Sequence, residues 1–229
     1  MDDPAPYVEC RGVRFPREDG LPDGETLRAL RRGTYERKEA DAAHRLLRRP
    51  DRVLEIGAGI GFMSTFAAKV CRVEAAHCYE ANPALIPYIR RVHEANGVEG
   101  RATAHNALLA PDGEAAGGAR FYIREAFVAS SMDPGPPGIV REETVPLKGM
   151  SEAFAEAEPT ALICDIEGAE ADLVPRMPLE GLRLAILELH PQWIGKDGVA
   201  AVFDAMHRAG LVFFPKASNG KVAAFKRRW

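Results

Sequence analysis

Residues 49–68 read RPDRVLEIGAGIGFMSTFAA, a charged lead-in, a short apolar burst, glycines at positions 57, 59 and 61, and then an apolar run with helical spacing. The pattern predicts a buried strand over 52–56, a tight glycine turn and a helix over about 61–69. Such a turn lets a ligand approach the backbone, so the question is which ligand. A dinucleotide fingerprint places its glycines at the first, third and sixth positions. Here the sixth position is Phe62 and the third glycine arrives one residue early. Glu55, just before the turn, also argues against a pyrophosphate, because a carboxylate repels it and attracts an ammonium group. Glu80 lies nineteen residues beyond Gly61, at the expected end of a second strand, where a carboxylate can accept both hydroxyls of a ribose.

Outward from the turn, residues 26–47 have helical apolar spacing interrupted by Gly33, which predicts two short helices. Residues 1–24, rich in Pro, Gly and Asp, read as an irregular arm. EAAHCYE supplies the second strand, ending at Glu80; Asn82 caps and Pro83 opens the next helix, and a third strand covers 103–108. Residues 118–147 differ. Short β-like pieces around Phe121, Phe127 and Val145 flank a Pro/Gly loop at 133–138, so an insertion of strands or a lid fits better than a crossover helix. The rhythm resumes with a helix at 149–156, the strand of TALICDIEG, a short helix containing EADLV, the strand of LRLAILELHP, a helix at 199–209, and the strands of GLVFFP and KVAAFKRR. KASNG, between the last two, is too short for a crossover, so they pair antiparallel. The expected architecture is α/β. Residues 1–48 form an arm and helices, and 49–229 form a seven-stranded, mostly parallel sheet with an antiparallel last strand and both faces covered.

Composition narrows the class. With 229 residues and 46% hydrophobic content, one large core and one domain are expected. Thirty basic against thirty-three acidic residues leave a charge of −3 without a single-sign block, so no nucleic-acid footprint is expected. The opening MDDPAPYVECRG lacks a leader pattern, and no run approaches the roughly 20 apolar residues of a membrane span. A soluble, cytoplasmic protein with no membrane partner is the expectation, and nothing in the sequence specifies homo-oligomerisation. Cys10, Cys71, Cys78 and Cys164 include no CxxC pair and read as reduced core thiols.

The segments VLEIGAGIGFMSTFAA, YEANPALIPYIRRVHEANG, AHNALL, VASSM, ALICDIEGAEADLV and ILELHP occur in this order between residues 53 and 191. In order and spacing they resemble the FkbM family of S-adenosylmethionine-dependent methyltransferases, and DIEGAE is the least generic of them. The resemblance covers about residues 34–229. It implies a Rossmann-like class I methyltransferase fold, S-adenosylmethionine as cofactor, and methyl transfer to a hydroxyl oxygen of a small polar molecule. By position it implies that Glu55, Gly57, Ala58, Gly59 and Gly61 form the first cofactor motif. Glu80 matches the ribose ligand, with Ala81 and Asn82 in the loop that follows. Asn106 and Ala107 match adenine contacts, and Asp165 lies beside the methionyl part of the donor and its methyl group.

The fourth and fifth parallel strands are expected to be neighbours, bringing Asp165, Glu167 and Glu170 towards Glu188 and His190, outside the strand ends where such sheets bind ligands. Methyl transfer to an alcohol needs alignment and removal of a proton. His190 is the first candidate base and Glu167 the second, with Asp165 completing the catalytic set. The bland alternatives are that Glu167 and Glu170 cap or solubilise the short helix and that His190 satisfies a loop. A divalent ion on Asp165, Glu167 and Glu188 or His190 is a competing arrangement that is not favoured, because no local motif fixes three ligands. DIEG also lacks the Asn/Asp-Pro-Pro-aromatic signature of amino-methylating nucleic-acid enzymes, which favours a small hydroxyl-bearing substrate. Phe127, Ser130, Ser131 and Met132 are candidates to cover the acceptor, with core β packing and an ordinary surface loop as the equal alternative, and Tyr35, Arg37 and Trp193 are candidate contacts, although a helix face packed against the sheet explains Tyr35 without chemistry. A non-catalytic interaction protein on the same scaffold and a nicotinamide-dependent oxidoreductase are the other classes consistent with these residues.

Overall fold

The computed structural model describes residues 6–18, 20–124, 135 and 138–228. The N-terminal segment, expected to be irregular, is a hairpin of β1 (Tyr7–Cys10) and β2 (Val13–Pro16), paired antiparallel. Val8, Cys10, Val13 and Phe15 are buried while Tyr7, Glu9 and Arg14 face out, an alternation of period two. Arg11 and Gly12, both at positive φ, make the two-residue turn between them. Asp23 caps α1 (Gly24–Arg32) by accepting the Thr26 amide at 2.7 Å, and Gly33 ends it at φ 66°, before α2 (Arg37–Leu46).

The expected α/β unit follows as β3 (Arg52–Ile56), α3 (Phe62–Phe66) running on into a π turn over Ala67–Cys71, β4 (Ala75–Glu80), α4 (Ile86–Ala95) and β5 (Ala102–Asn106). Helix α4 starts later than Pro83. Asn82 Oδ1 accepts the Ala84 amide at 3.0 Å and its carbonyl accepts the Leu85 amide, so Asn82 closes a turn ahead of the helix. Pro87 then occupies the first helical turn, where a missing N–H costs nothing.

The third strand also ends earlier than expected. Beyond Asn106 the chain leaves the main sheet, and β6 (Leu108–Ala110), β7 (Gly118–Arg124) and β8 (Ile139–Gly149) form a separate sheet in the order β6-β8-β7. After α5 (Met150–Ala157) come β9 (Ala161–Cys164), α6 (Glu170–Leu173), β10 (Leu184–Glu188), α7 (Pro191–Arg208), β11 (Val212–Phe213) and β12 (Val222–Lys226). Helix α7 begins at Pro191, earlier than residue 199, and is interrupted at Gly195 by a non-helical backbone.

The main sheet has the order β11-β12-β10-β9-β3-β4-β5. Only β12 runs against the rest, as the short KASNG link requires. Both faces are buried. Val53, Ile163 and Ile186 pack towards α2, α3 and the N-terminal hairpin, while Leu54, Leu162, Cys164 and Leu187 pack towards α5 and α7. Among the described residues, no helix is long and apolar enough to cross a membrane.

One polar knot ties the entry ends of the central strands. Asp51, 1% exposed, accepts from the Arg48 amide (2.6 Å), the Thr160 hydroxyl (2.8 Å) and Arg183 Nε (2.6 Å), and its second oxygen pairs with Arg183 Nη2. The contacts join the residues leading into β3, β9 and β10. Asp51→Ala leaves a half-buried guanidinium and two further donors without their acceptor, so a loss of about 3–5 kcal/mol is expected in denaturant unfolding. A loss below about 1 kcal/mol would show the knot to be dispensable.

Candidate active site

The glycine turn is shaped by what passes beside it. Gly57 sits at φ 86°, and a Cβ placed on it would lie 1.7 Å from the carbonyl oxygen of Asp165. The Gly57 and Ala58 amides both donate to the Tyr79 carbonyl, at 3.0 and 3.1 Å, which fastens the turn to the end of β4. At Gly61 a Cβ would meet Ile89 Cγ2 at 2.8 Å, so the start of α3 packs directly on α4. Gly59 is less crowded, and its amide donates to Glu80 Oε2 at 2.8 Å.

Glu80 thus serves the turn itself. Its Oε1 accepts the Asn82 amide at 2.7 Å, so each oxygen holds one loop while keeping a further lone pair. Burial pushes its pKa up to about 7, against the lowering effect of the Asn82, Gly59 and Ala81 amides. Asn106 donates its amide to the carbonyls of Glu80 (2.9 Å) and Ala81 (3.0 Å), clamping this loop to β5. Ala58, Ala81 and Ala107 are buried around it.

Acidic groups continue from the turn to the ends of β9 and β10. Glu55 is 2% exposed, and its Oε2 has no hydrogen-bond partner among the described residues. Burial pushes its pKa up to about 8; hydrogen bonds from Ser64 work against the shift, and the charges of Glu80 and Asp165 add to it. The amide of Asp165 continues the sheet by donating to the Ile56 carbonyl at 3.0 Å, while its Oδ1 is buried without a hydrogen bond. Burial, followed by the charges of Glu188 and Glu167, holds Asp165 well above the usual carboxylate range. Burial, with the charge of Glu188 adding to it, raises Glu39 of α2, and Glu36 lies beside the Tyr35 hydroxyl, so this helix adds two more acids to the same space.

His190 stands at the centre of these groups and is 2% exposed. Its Nδ1 lies 2.7 Å from Glu170 Oε1, and its Nε2 lies 3.2 Å from Glu167 Oε2 and 3.8 Å from Asp165 Oδ1. Glu170 is fully buried; its Oε1 also accepts the Gly168 amide at 3.1 Å, and its Oε2 is unpartnered. Burial pulls the imidazole towards the neutral form, but the Glu170 hydrogen bond and the charges of Glu167, Glu170 and Asp165 outweigh it, raising the pKa above its ordinary value. Trp193 stacks on the ring at 4.9 Å and 17°, although it is 60% exposed. Gly168, at φ 102°, permits this: a Cβ there would press on the indole at 3.1 Å.

The structure therefore brings together Asp165, Glu167, Glu188 and His190 beside the turn of Glu55, Gly57, Ala58, Gly59 and Gly61. Glu170 is a full member of the group rather than a surface cap, and Glu36 and Glu39 join it from a segment whose acids carry no motif. Tyr35 has both roles, its ring edge-on to Phe62 at 5.8 Å and its hydroxyl 3.4 Å from the position of a Cβ on Gly59. Arg37 faces solvent and pairs with Asp41. Phe127, Ser130, Ser131 and Met132 lie outside the described residues. One ligand atom each from Asp165, Glu188 and His190 lies within 4.8 Å of the others, so these are the residues here able to share a cation.

No family model matches the sequence, and no curated protein matches it. Among solved structures, M. jannaschii TYW2 in complex with AdoMet is similar in fold, with a TM-score of 0.52 and 12% identity over 96% of this chain and 85% of that one. The ribosomal protein L11 methylase of Lactobacillus delbrueckii subsp. bulgaricus reaches a TM-score of 0.48 at 10% identity over 84% of this chain and 77% of its own. M. capricolum TrmK in complex with S-adenosyl-homocysteine reaches 0.46 at 8% identity over 83% and 68%. With the sheet order and the glycine turn described above, the likeness to TYW2 identifies the architecture as the Rossmann-like class I methyltransferase fold.

Proposed function

We propose that the protein is an S-adenosylmethionine-dependent methyltransferase of the FkbM type, acting on a hydroxyl oxygen of a small polar molecule. One observation carries this reading: a glycine turn held by Glu80 meets a buried Glu170–His190 pair at the same end of the sheet. The chemistry of the donor set fits the cofactor. The unpartnered oxygen of Glu55 suits an ammonium group, and Glu80 keeps lone pairs for ribose hydroxyls. Ala81, Asn82, Asn106 and Ala107 would hold the adenosine end, and Asp165 would lie at the methionyl end. When bound, S-adenosylmethionine supplies a sulfonium-activated methyl group.

The chain's own task is to hold the acceptor and move one proton. With its Nδ1 proton donated to Glu170, His190 keeps the Nε2 lone pair on the side of Glu167 and Asp165. Nε2 takes the acceptor hydroxyl proton as the oxygen lone pair turns to carbon. Glu167 and Asp165 orient that hydroxyl, and alignment of the reactants supplies much of the rate. A divalent ion on Asp165, Glu188 and His190 is the competing arrangement, and it would occupy the same nitrogen.

Donor binding should depend on pH with a definite sign. Free Glu55, raised to about 8, is largely protonated at pH 7, and a cation beside it favours the ionised form. Binding must then release protons at pH 7 and tighten as pH rises towards 8. Calorimetry with S-adenosylhomocysteine in buffers of different ionisation enthalpy should register this release in the wild type and its loss in Glu55→Gln. Glu80→Ala should weaken binding at least ~10-fold, or ~1.4 kcal/mol. Folded protein that shows no saturable binding at millimolar ligand rules out the donor.

His190→Ala should preserve donor affinity and lower turnover about 10²–10⁴-fold, read by mass spectrometry of hydroxylated small molecules incubated with enzyme and donor. Glu170→Gln keeps an acceptor for Nδ1 but removes the charge that favours the imidazolium. The limb of the pH–rate profile that rises with deprotonation of His190 should therefore move to lower pH. A limb unmoved in Glu170→Gln and unchanged turnover in His190→Ala would exclude His190 as the base, and loss of wild-type turnover on chelation would favour the ion.

A further inference from the structure

A second group of ligating side chains stands on the sheet face that packs against α5, apart from the His190 cluster. Tyr79 of β4 is registered opposite His105 of β5, and His77 precedes Tyr79 by two residues on the same face. His77 Nδ1 lies 3.2 Å from His105 Nε2. The ring centroids are 5.4 Å apart with planes 13° from parallel. The centroid separation exceeds the nitrogen separation by about one ring's width, so the imidazoles meet edge to edge, with one nitrogen facing the other and a single proton between them. Tyr79 stacks on His105 at 4.6 Å and 13°, fixing the plane of that ring. Glu156, on the last turn of α5, completes the group. One ligand atom from each of His77, His105 and Glu156 lies within 4.8 Å of the others.

We propose that His77, His105 and Glu156 bind a transition-metal dication, with Zn²⁺ the best fit. Tetrahedral zinc takes imidazole nitrogens at about 2.0–2.1 Å, which sets neighbouring nitrogens about 3.3–3.4 Å apart. The observed 3.2 Å is nearly that spacing. Two imidazoles and one carboxylate favour zinc over magnesium or calcium, which prefer all-oxygen shells. Lys148 Nζ donates to Glu156 Oε2, which orients the carboxylate. Both histidines are half-buried and Glu156 is exposed, so the ion has a path from solvent. None of these residues takes part in the proposed reaction. The residue after His105 is Asn106, whose amide clamps the Glu80 loop, so the ion would join β4, β5 and α5 directly beneath that clamp.

The test is titration of the full chain, stripped with chelator, with Zn²⁺ by calorimetry and with Co²⁺ by absorption. The expected result is saturable binding with a Kd at or below about 10 μM, a cobalt spectrum without thiolate charge transfer, and an unfolding temperature that rises with Zn²⁺. His77→Ala and His105→Ala should each weaken binding at least ~10-fold, Glu156→Gln should weaken it less, and His190→Ala should leave it intact. The proposal is overturned by the absence of saturable binding up to millimolar metal, or by binding that survives both histidine variants. Should either variant misfold, imidazole NMR of the wild type decides instead. Zinc must then perturb His77 and His105, and perturbation confined to His190 overturns the site.

Discussion

Gly57 passes so close to the carbonyl of Asp165 that no side chain fits between them, and the layout of the site follows from this contact. β3 and β9 are adjacent parallel strands at the middle of the sheet, and the Asp165 amide extends their ladder by one bond to Ile56. Where the ladder ends, the turn leaving β3 must cross the chain leaving β9. The loop carrying the glycines and the loop carrying Asp165, Glu167 and Glu170 therefore form one rigid corner. Apolar packing on both faces of the two strands holds that corner in place.

The two ends of the sheet treat buried acids in opposite ways. At the entry end, Asp51 is matched by a guanidinium, a hydroxyl and an amide. At the exit end, Glu55, Asp165 and Glu170 each carry a buried oxygen without a partner. Desolvation disfavours the charged form of such groups, and the raised pKa values of Glu55, Glu80, Asp165 and Glu167 are the direct consequence. Protonation of Glu55, raised to about 8, eases the burial of that carboxyl in the free protein. A cation placed beside Glu55 would favour loss of that proton. The entry end is thus fully matched, while the exit end keeps buried carboxylate oxygens without partners among the described residues.

His190 shows how burial and geometry combine. An imidazole removed from water tends to lose its proton, but a fully buried carboxylate on Nδ1 and acids near Nε2 reverse that tendency. The ring has little freedom, pinned by Glu170 on one edge and covered by Trp193 on one face. Gly168 and the short α6 make this possible, since the tight backbone after Glu167 turns Glu170 inward instead of out to solvent.

Much of this was legible in the amino-acid order alone. Continuous apolar runs bounded by Gly, Pro and acids marked β3, β9 and β10, and the brevity of KASNG dictated the antiparallel β12, because both signals are local. The hairpin of β1 and β2 had a local signal too, the alternation of Val8, Cys10, Val13 and Phe15 about Arg11–Gly12, but the surrounding Pro, Gly and Asp residues masked it. Position along the chain also marked Glu55, Glu80, Asp165 and His190 as strand-end residues. Only the tertiary structure decided which of them share a space. Glu170 became the partner of His190 across twenty residues of sequence, Glu39 of α2 came beside Glu188 at the end of β10, and His77 of β4 faced His105 of β5. Such pairings depend on the order of strands in the sheet and on how helices cover it, and these are set by burial summed over the whole chain, which no local periodicity encodes.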